Sequence, residues 1–169
     1  MQILDTEKDL RQVVEKYKNT VYAVAYSRLM NKADVDDVFQ ETFLLYYQKT
    51  LSFENESARK AWLIRTALNL CKKSNLSSWA TKVDRLPEDE QELPAQDMFT
   101  DEENDVLQAV LSLKEALRMP VYLFYFTGLS ISEISDCLGI SSGAVQVRLV
   151  RARKALKKKL EGEYFYEER

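Results

Sequence analysis

The sequence has 169 residues, of which 46% are hydrophobic and 30% are charged, and its formal net charge is −3. This balance is typical of a folded globular protein and excludes a wholly disordered chain. No apolar run approaches the ~18 residues of a membrane span, and the N-terminal segment lacks a signal-peptide core, so we expect a cytoplasmic protein.

Residues that commonly carry out catalysis are scarce. Histidine, the commonest general base and metal ligand, is absent. The sequence has no glycine-rich phosphate loop and no nucleophile elbow, and Cys71 and Cys137 match no redox or metal spacing. We therefore expect a binding protein that is not an enzyme, with no small-molecule substrate, no cofactor and no metal, and with both cysteines buried.

Charge is strongly segregated along the chain. Residues 77–104 have a net charge of −7, whereas residues 141–160 have a net charge of +7 and no acidic side chain. The acidic block holds two of the three prolines and little apolar periodicity, which indicates an exposed linker. We predict an all-α protein of two small helical domains, residues 1–80 and 105–169, joined by an acidic flexible linker over residues 81–104.

Apolar spacing predicts three helices in the first domain. The first has one apolar stripe: Leu10, Val13, Val14, Tyr17, Val21 and Ala25. Asp34 is the predicted N-cap of the second helix. The inward stripe of that helix is Val35, Val38, Phe39, Thr42, Phe43 and Tyr46, and a different face presents Asp37, Gln40, Glu41 and Leu44, with Tyr47 one turn further on. The third helix is predicted over residues 58–79, with apolar Trp62, Leu63, Ala67 and Leu70 and polar Arg65, Asn69, Lys72 and Lys73.

The second domain is predicted to begin with one short amphipathic helix over residues 106–117. The run "VYLFYF" that follows could be a strand by propensity. Helical patterns on both sides and the absence of a partner strand favour a helix. Pro120 either starts this helix or kinks it.

The segment "LSISEISDCLGISSGAVQVRLVRARKAL", residues 129–156, has the pattern of a helix-turn-helix that ends the second domain. Ser130 and Glu133 form an S-x-x-E capping box, Gly139 occupies the sharp turn, and Ser141 can cap the second helix. The positions expected to face the core are Ile131, Ile134 and Leu138 in the first helix and Val145, Leu149, Ala152 and Leu156 in the second.

The second helix of such a unit enters the DNA major groove with its N-terminal residues leading. Gln146 and Val147 lie in that leading turn, and Ser142 and Gly143 are close enough to meet phosphates. Basic side chains that can neutralise phosphates or reach guanine edges are Arg148, Arg151, Arg153 and Lys154. A basic helix is commonly no more than a solvated face. Here a capped helix-turn-helix precedes it and no acid interrupts it, which favours DNA binding.

With two modules, an acidic linker and this ending, the chain resembles the extracytoplasmic-function (ECF) sigma factors of bacterial RNA polymerase over nearly its whole length. "DVFQETF", from Asp37 to Phe43, reproduces the D-x-x-Q-E-x-F signature of that family. The resemblance implies docking on the clamp helices of the polymerase β′ subunit through Asp37, Gln40, Glu41, Leu44 and Tyr47. Taken alone, this patch is an ordinary exposed helix face.

A second match is "FENESARKAWLIRTALNL", which is similar to the family pattern F-x-x-x-S-x-x-x-x-W-L-x-R-x-A-x-N. The resemblance implies recognition and melting of the minus-ten promoter element, with a flipped base held by a loop. The implied residues are Phe53, Glu54, Asn55, Glu56 and Ser57 in the loop, Trp62 beneath it, Asn69 at the melting junction, and Arg65, Lys72 and Lys73 on the DNA backbone. Core packing explains Phe53 and Trp62 equally well, and Glu54 and Glu56 are a poor electrostatic match to DNA.

The helix-turn-helix follows the family pattern for binding the minus-thirty-five element as duplex. The implied contacts are Ser142, Gly143, Gln146, Val147, Arg148, Val150, Arg151 and Lys154. Gln146 stands where a basic residue is frequent, Val147 where Ser is frequent and Val150 where an aromatic residue or His is common, so the promoter sequence cannot be transferred from a relative. The implied partners are promoter DNA, core RNA polymerase through the β′ clamp helices and the β flap, and an anti-sigma factor, with the linker directed toward the RNA exit path.

Two other classes of function remain open on the residues. One is a free-standing helix-turn-helix transcriptional regulator whose N-terminal domain senses a signal or dimerises; it predicts specific duplex binding without polymerase. The other is a nucleic-acid enzyme that uses carboxylates of the acidic block with a divalent metal. "PEDEQELP" has the composition of a flexible segment, which disfavours that enzyme.

Overall fold

A computed structural model describes residues 6–49, 52–78 and 101–167, and within these ranges the chain is helical with no strand. Seven α-helices are present there: α1 (Thr6–Leu29), α2 (Lys32–Gln48), α3 (Glu56–Ser78), α4 (Asp101–Leu111), α5 (Glu115–Val121), α6 (Ile131–Leu138) and α7 (Ser142–Glu167). A π-helical turn, Tyr122–Phe126, follows α5. The helices belong to two units, one within Met1–Glu92 and one within Leu93–Arg169. The prediction of an all-α protein with two helical domains is confirmed.

Most of the predicted acidic linker lies outside the described residues, as does Trp79 at the end of the third predicted helix. The last four residues assigned to the linker are an exception, because α4 begins at Asp101. An acidic composition is compatible with the first turn of a helix, where the helix dipole favours negative charge. Charge alone therefore could not place this boundary.

In the first unit α1, α2 and α3 pack against one another around an apolar core. The predicted stripe of α1 faces inward, since Val13, Tyr17, Val21 and Ala25 are buried. Helix α2 contributes Val35, Val38, Thr42, Phe43 and Tyr46, as predicted, with Phe39 half-buried. Helix α3 contributes Leu63, Ile64, Ala67, Leu68 and Cys71. Ile64 and Leu68 were missing from the predicted stripe, whereas Trp62 and Leu70 are only half-buried.

The predicted N-cap of the second helix was wrong. Asn31, not Asp34, caps α2: its Oδ1 accepts the Asp34 backbone N–H at 3.2 Å, and its backbone is extended. Asp34 lies in the first turn of α2, where its carboxylate favours the helix dipole without capping it. Similarly, Asn55 Oδ1 accepts the Ala58 N–H at 2.8 Å, so α3 begins at Glu56, two residues before the predicted start.

The single helix predicted over residues 106–117 was also wrong, because the chain breaks there into α4 and α5. Residues 112–114 form a turn, and Lys114 is extended (φ −60°, ψ 146°). The guanidinium of buried Arg118 donates to the Leu113 carbonyl at 3.1 Å, which supplies a partner for a carbonyl that the interrupted helix leaves unbonded. Apolar periodicity continues across this turn and so conceals it.

The run "VYLFYF" is helical, as predicted, and the strand alternative is wrong. Pro120 lies buried inside α5 and has no N–H to bond the carbonyl four residues earlier. The backbone then widens into the π-helical turn, a rare form that occurs mostly as single turns within helical segments. Leu123 lies within this turn, and its carbonyl accepts the Leu129 N–H at 3.1 Å and the Thr127 hydroxyl at 2.5 Å.

The helix-turn-helix has the predicted local chemistry. Ser130 N–H donates to the Glu133 carboxylate at 2.9 Å, and Glu133 N–H donates to Ser130 Oγ at 3.1 Å, which completes the capping box. Gly139 adopts φ 67°, and Ser141 Oγ accepts the Ala144 N–H at 3.1 Å at the start of α7. Ile134, Val145, Leu149 and Ala152 are buried, while Ile131, Leu138 and Leu156 are half-buried. Both cysteines are buried, as predicted.

Candidate functional site

The outward face of α2 carries acidic, amide and apolar side chains together. All five side chains predicted for this face are exposed: Asp37, Gln40, Glu41, Leu44 and Tyr47. Leu44 is 53% exposed and Tyr47 is 45% exposed, and because they lie three positions apart on one helix face they form a small exposed apolar patch. The opposite side of the helix is buried in the core. An apolar centre beside two carboxylates is suited to a protein partner with basic and apolar groups.

Three aromatic rings, one each from α2, α3 and the loop before α3, pack together in the first unit. Phe53 stacks on Tyr46 with ring centroids 6.3 Å apart, and Trp62 lies edge-on to both, at 6.1 Å from Phe53 and 6.0 Å from Tyr46. Tyr46 is buried, whereas Phe53 and Trp62 are half-buried. Packing therefore accounts for part of each of these two rings and leaves part in contact with solvent.

The same loop is anchored to α1 by a polar cluster. The Tyr17 hydroxyl donates to Glu56 Oε2 at 2.6 Å, and Lys16 Nζ donates to the same oxygen at 3.2 Å. Arg59 pairs with the other Glu56 oxygen and lies over the Phe53 ring, 5.5 Å from its centroid. Glu56 thus has two cations beside it, and its charge opposes DNA less than the sequence suggested.

The polar cluster shifts the pKa values of its members. The hydrogen bond from Tyr17 is the largest cause that lowers the pKa of Glu56, and Lys16 and Arg59 act in the same direction. Burial, together with the Glu56 carboxylate, raises the pKa of Tyr17 to about 12. Burial and a hydrogen bond to Asp9, 2.9 Å long, raise the pKa of Tyr46 to about 12. Both phenols therefore stay protonated at neutral pH and hold their carboxylate partners.

The exposed face of α3 is basic. Arg65, Asn69, Lys72 and Lys73 are all exposed and recur at i, i+4, i+7 and i+8, on the side away from buried Leu63 and Ala67. Three cations along one helix face can follow a phosphate backbone. Glu54 in the adjoining loop and Ser57 in the first turn of α3 are exposed, and Asn55 is exposed although its Oδ1 is used in the helix cap.

The outward face of α7 combines polar, basic and apolar side chains. Gly143, Val147, Val150 and Lys154 recur at i, i+4, i+7 and i+11, and all are exposed. The other predicted contacts also reach solvent, with Arg148 half-buried and Ser142, Gln146 and Arg151 exposed. This face continues from the capped N-terminus that a helix-turn-helix directs at DNA.

Arg153 has a partner that the sequence did not predict. Its Nε donates to the Tyr125 hydroxyl at 2.8 Å, and its guanidinium lies 5.8 Å from the Tyr125 ring centroid. Tyr125 lies in the π-helical turn and is 55% exposed. The pair links this turn to α7 on the protein surface.

Neither a metal cluster nor a membrane span is present in the described ranges. No group of three or more His, Cys, Asp or Glu side chains there could hold a metal ion. Among the described helices, none is long and apolar enough to cross a membrane.

The sequence matches two known domain families, Sigma-70 region 2 over residues 13–81 and Sigma-70, region 4 over residues 103–156. The ECF RNA polymerase sigma factor SigW of Bacillus subtilis is 31% identical over 88% of this chain and 87% of its own length. The chain belongs to the ECF sigma factors. The ECF RNA polymerase sigma-E factor of Escherichia coli is 30% identical over 92% of this chain and 88% of its own. The resemblance seen in the sequence is confirmed, and this sigma factor directs promoter-specific transcription initiation.

Two solved structures share this fold over most of the chain. The sigma factor RpoE of Bartonella quintana, solved with the anti-sigma factor NepR, has a TM-score of 0.72 and 25% identity, over 91% of this chain and 98% of its own. CnrH, solved with the cytosolic domain of CnrY, has a TM-score of 0.62 and 25% identity, over 92% and 90%. The free-standing regulator is not favoured by these likenesses.

Every site residue predicted for this sigma factor is at least partly exposed, and the set falls on three helix faces and one loop. Sequence reasoning missed the residues that hold these surfaces in place: Tyr17, Lys16, Arg59, Tyr46 and Tyr125. Tyr17 is separated from Glu56 by 39 positions, and no short motif joins them. The unusual density of tyrosine, nine in the chain, was the available signal.

Proposed function

We propose that this sigma factor divides its work among three surfaces: the α2 face docks on core RNA polymerase, the loop before α3 and the α3 face open and read the minus-ten element, and the α7 face reads the minus-thirty-five element. The observation that carries this proposal is that the predicted site residues all reach solvent, on helix faces whose opposite sides form the cores of the two units. A side chain needed only for packing would be buried.

The α2 face binds the clamp helices of the β′ subunit. Leu44 and Tyr47 supply the desolvated centre of the contact, which is where most binding free energy arises in protein interfaces. Asp37 and Glu41 set orientation against basic groups on the polymerase, and Gln40 adds an amide hydrogen bond. These side chains share one helix face, so one rigid element presents them.

The minus-ten element is read by the anchored loop. Single-stranded bases bind by stacking on aromatic rings and by attraction of the backbone to cations. The half-buried rings of Phe53 and Trp62 support the loop of Glu54, Asn55, Glu56 and Ser57, which receives one flipped base. The backbone contacts come from Arg65, Lys72 and Lys73 of α3, and Asn69 of the same helix lies at the melting junction.

The minus-thirty-five element is read as duplex by the first turns of α7. Ser142 and Gly143 approach phosphates, while Gln146, Val147 and Val150 face base edges. Arg148, Arg151 and Lys154 neutralise the DNA backbone on either side. The N-terminal residues of this helix are held in position by the Ser141 cap and the buried Val145.

The remaining partners follow from the same assignment. The second domain, proposed for residues 105–169, contacts the β flap, the first domain comprises residues 1–80, and the acidic segment 81–104 lies toward the RNA exit path. An anti-sigma factor holds the free protein inactive, in keeping with the two structural neighbours, which were solved with such partners or with a cytosolic domain. The protein acts in the cytoplasm and catalyses no reaction itself, because the polymerase holds the active site.

The test separates the surfaces by substitution. Gln40→Ala with Glu41→Ala should reduce binding to core RNA polymerase at least tenfold, since the pair removes an amide hydrogen bond and a carboxylate that faces basic groups, each worth roughly 1 kcal/mol. Arg148→Ala with Arg151→Ala should leave core binding unchanged and weaken promoter binding by the holoenzyme. Gln40, Glu41 and Arg151 are exposed and Arg148 is half-buried, so each double variant is first checked for wild-type helix content and then serves as the control for the other. Equal loss of core binding in both pairs would contradict the proposed division.

A further inference from the structure

Two aliphatic side chains lie in an unexpected place on α7. Val147 is 50% exposed and Val150 is 47% exposed, whereas the other exposed side chains over residues 142–161, the part of α7 whose burial is described, are polar or charged. The core contacts of this part of the helix are already supplied by Val145, Leu149 and Ala152. Folding of the unit therefore gives no reason for valine at either outward position.

Gly143 also indicates that this face of α7 binds a ligand. It belongs to the outward stripe formed by Gly143, Val147, Val150 and Lys154. Glycine lowers the stability of a helix relative to alanine, so a glycine in the first turn needs an explanation. Crowding within the protein does not supply one, because a Cβ at this position would have nothing nearer than Ser141 Oγ at 3.9 Å. A helix without a side chain here can approach a surface closely, which brings Val147 to the same surface one turn later.

We propose that Val147 and Val150 read the C5-methyl groups of two thymines in the major groove of the minus-thirty-five element. This inference rests on the proposed function of α7. A valine side chain has no hydrogen-bond donor or acceptor, so it cannot recognise the polar edges of guanine, cytosine or adenine. The thymine methyl is the apolar group that the four bases display in this groove.

The spacing of the valines fits neighbouring base pairs. Residues three apart on an α-helix are separated by about 4.5 Å along the axis. Successive base pairs are separated by about 3.4 Å, so the two methyl groups belong to adjacent or next-adjacent pairs on either strand. Gln146 flanks the stripe and can bond the N6 and N7 edge of adenine, so both chemistries select A·T pairs.

The charge around the stripe favours this occupant. Arg151 and Lys154 lie on or beside the stripe, and residues 141–160 have no acidic side chain. An apolar protein partner would not need cations beside the two valines, whereas a duplex supplies phosphates for the cations and methyl groups for the valines.

The experiment uses the full chain bound to core RNA polymerase. Duplexes with a randomised minus-thirty-five segment are selected for binding, and each enriched thymine is then replaced by deoxyuridine, which removes only the methyl group. We expect thymines at two adjacent or next-adjacent pairs, and an about fourfold loss of affinity for each replacement, as expected for one buried methyl group.

Variants assign each methyl group to its valine. Val147→Ser should abolish the deoxyuridine effect at one position and leave the other, and Val150→Ser should do the reverse. Val106→Ser is the matched control, because Val106 is an exposed valine on α4, and both effects should persist. Arg151→Ala should weaken binding to all duplexes while both methyl effects remain. The inference would be overturned if the enriched duplexes had no thymines at two such positions. It would also be overturned if deoxyuridine replacement weakened binding by the same amount in both valine variants as in the wild-type chain.

An error in the proposed function can be distinguished from an error in this inference. If the chain does not bind core polymerase, the division of labour proposed above is wrong. The same selection and replacement are then made with the chain alone at low salt. A fourfold loss of duplex affinity on deoxyuridine replacement, absent at one position in each valine variant, supports the inference there. If deoxyuridine replacement causes no loss of affinity, the inference is overturned.

Discussion

Glu56 shows how single residues prepare the minus-ten surface. It begins α3, accepts hydrogen bonds from Tyr17 and Lys16 of α1, and pairs with Arg59 beside the Phe53 ring. An isolated carboxylate in this loop would repel DNA. Here the carboxylate is neutralised by cations and joins the loop to the core, so the loop is ordered before DNA arrives. Ordering in advance reduces the entropy lost on binding.

The polar cluster of Tyr17, Lys16, Glu56 and Arg59 can be tested by measuring how the stability of a Tyr17 variant depends on pH. Tyr17→Phe removes the hydrogen bond to Glu56 and should lower the free energy of unfolding by about 1 kcal/mol near pH 8. Because folding raises the pKa of Tyr17 from 10.0 to about 12, its contribution is complete below pH 10 and is lost as the pH rises toward 12. Because folding lowers the pKa of Glu56, the contribution of Glu56 is present at neutral pH and is lost as the pH falls through its folded pKa.

The measurement is urea unfolding of the wild-type chain and the Tyr17→Phe variant across pH. The difference in free energy between them should be largest from about pH 5 to 10 and should narrow on both sides. A constant difference from pH 4 to 12 would show that the hydrogen bond between Tyr17 and Glu56 does not act as described.

At the scale of helices and turns, the helix-turn-helix was predictable because its signals are local. The capping box, the left-handed glycine and the Ser141 cap each depend on residues within four positions of one another. The break between α4 and α5 was not predictable, since apolar spacing continues through it and the stabilising bond comes from the buried Arg118 side chain. The Asn31 cap was missed because Asp34 is also a common capping residue.

Two glycines on this motif should respond oppositely to alanine. Gly139 has φ 67°, and a Cβ added there would meet no atom within 4 Å, so Gly139→Ala should destabilise the second unit by about 1 kcal/mol through backbone strain alone. Gly143 has ordinary helical backbone, so Gly143→Ala should preserve or slightly raise stability. Hydrogen exchange of the α6 and α7 amides measures both effects. Equal destabilisation by the two substitutions would contradict this explanation.

At the scale of the whole molecule, segregated charge was the strongest sequence signal. The small net charge of the chain conceals an acidic block and a basic helix. The basic side chains of that helix, α7, lie at the surface of the second unit. The fold class, both domains and the exposed site faces could be predicted from periodicity, caps and charge. The tyrosine contacts that fix the site could not, because they join residues that lie far apart in the sequence.

The central claim is that this sigma factor recognises promoters as part of RNA polymerase. The most direct measurement is a footprint of a selected promoter with the chain alone, with core polymerase alone and with both. We predict protection of the minus-thirty-five and minus-ten elements, with open bases in the latter, only when both are present. Full, specific protection by the chain alone, unchanged by core polymerase, would contradict the account and indicate a free-standing regulator.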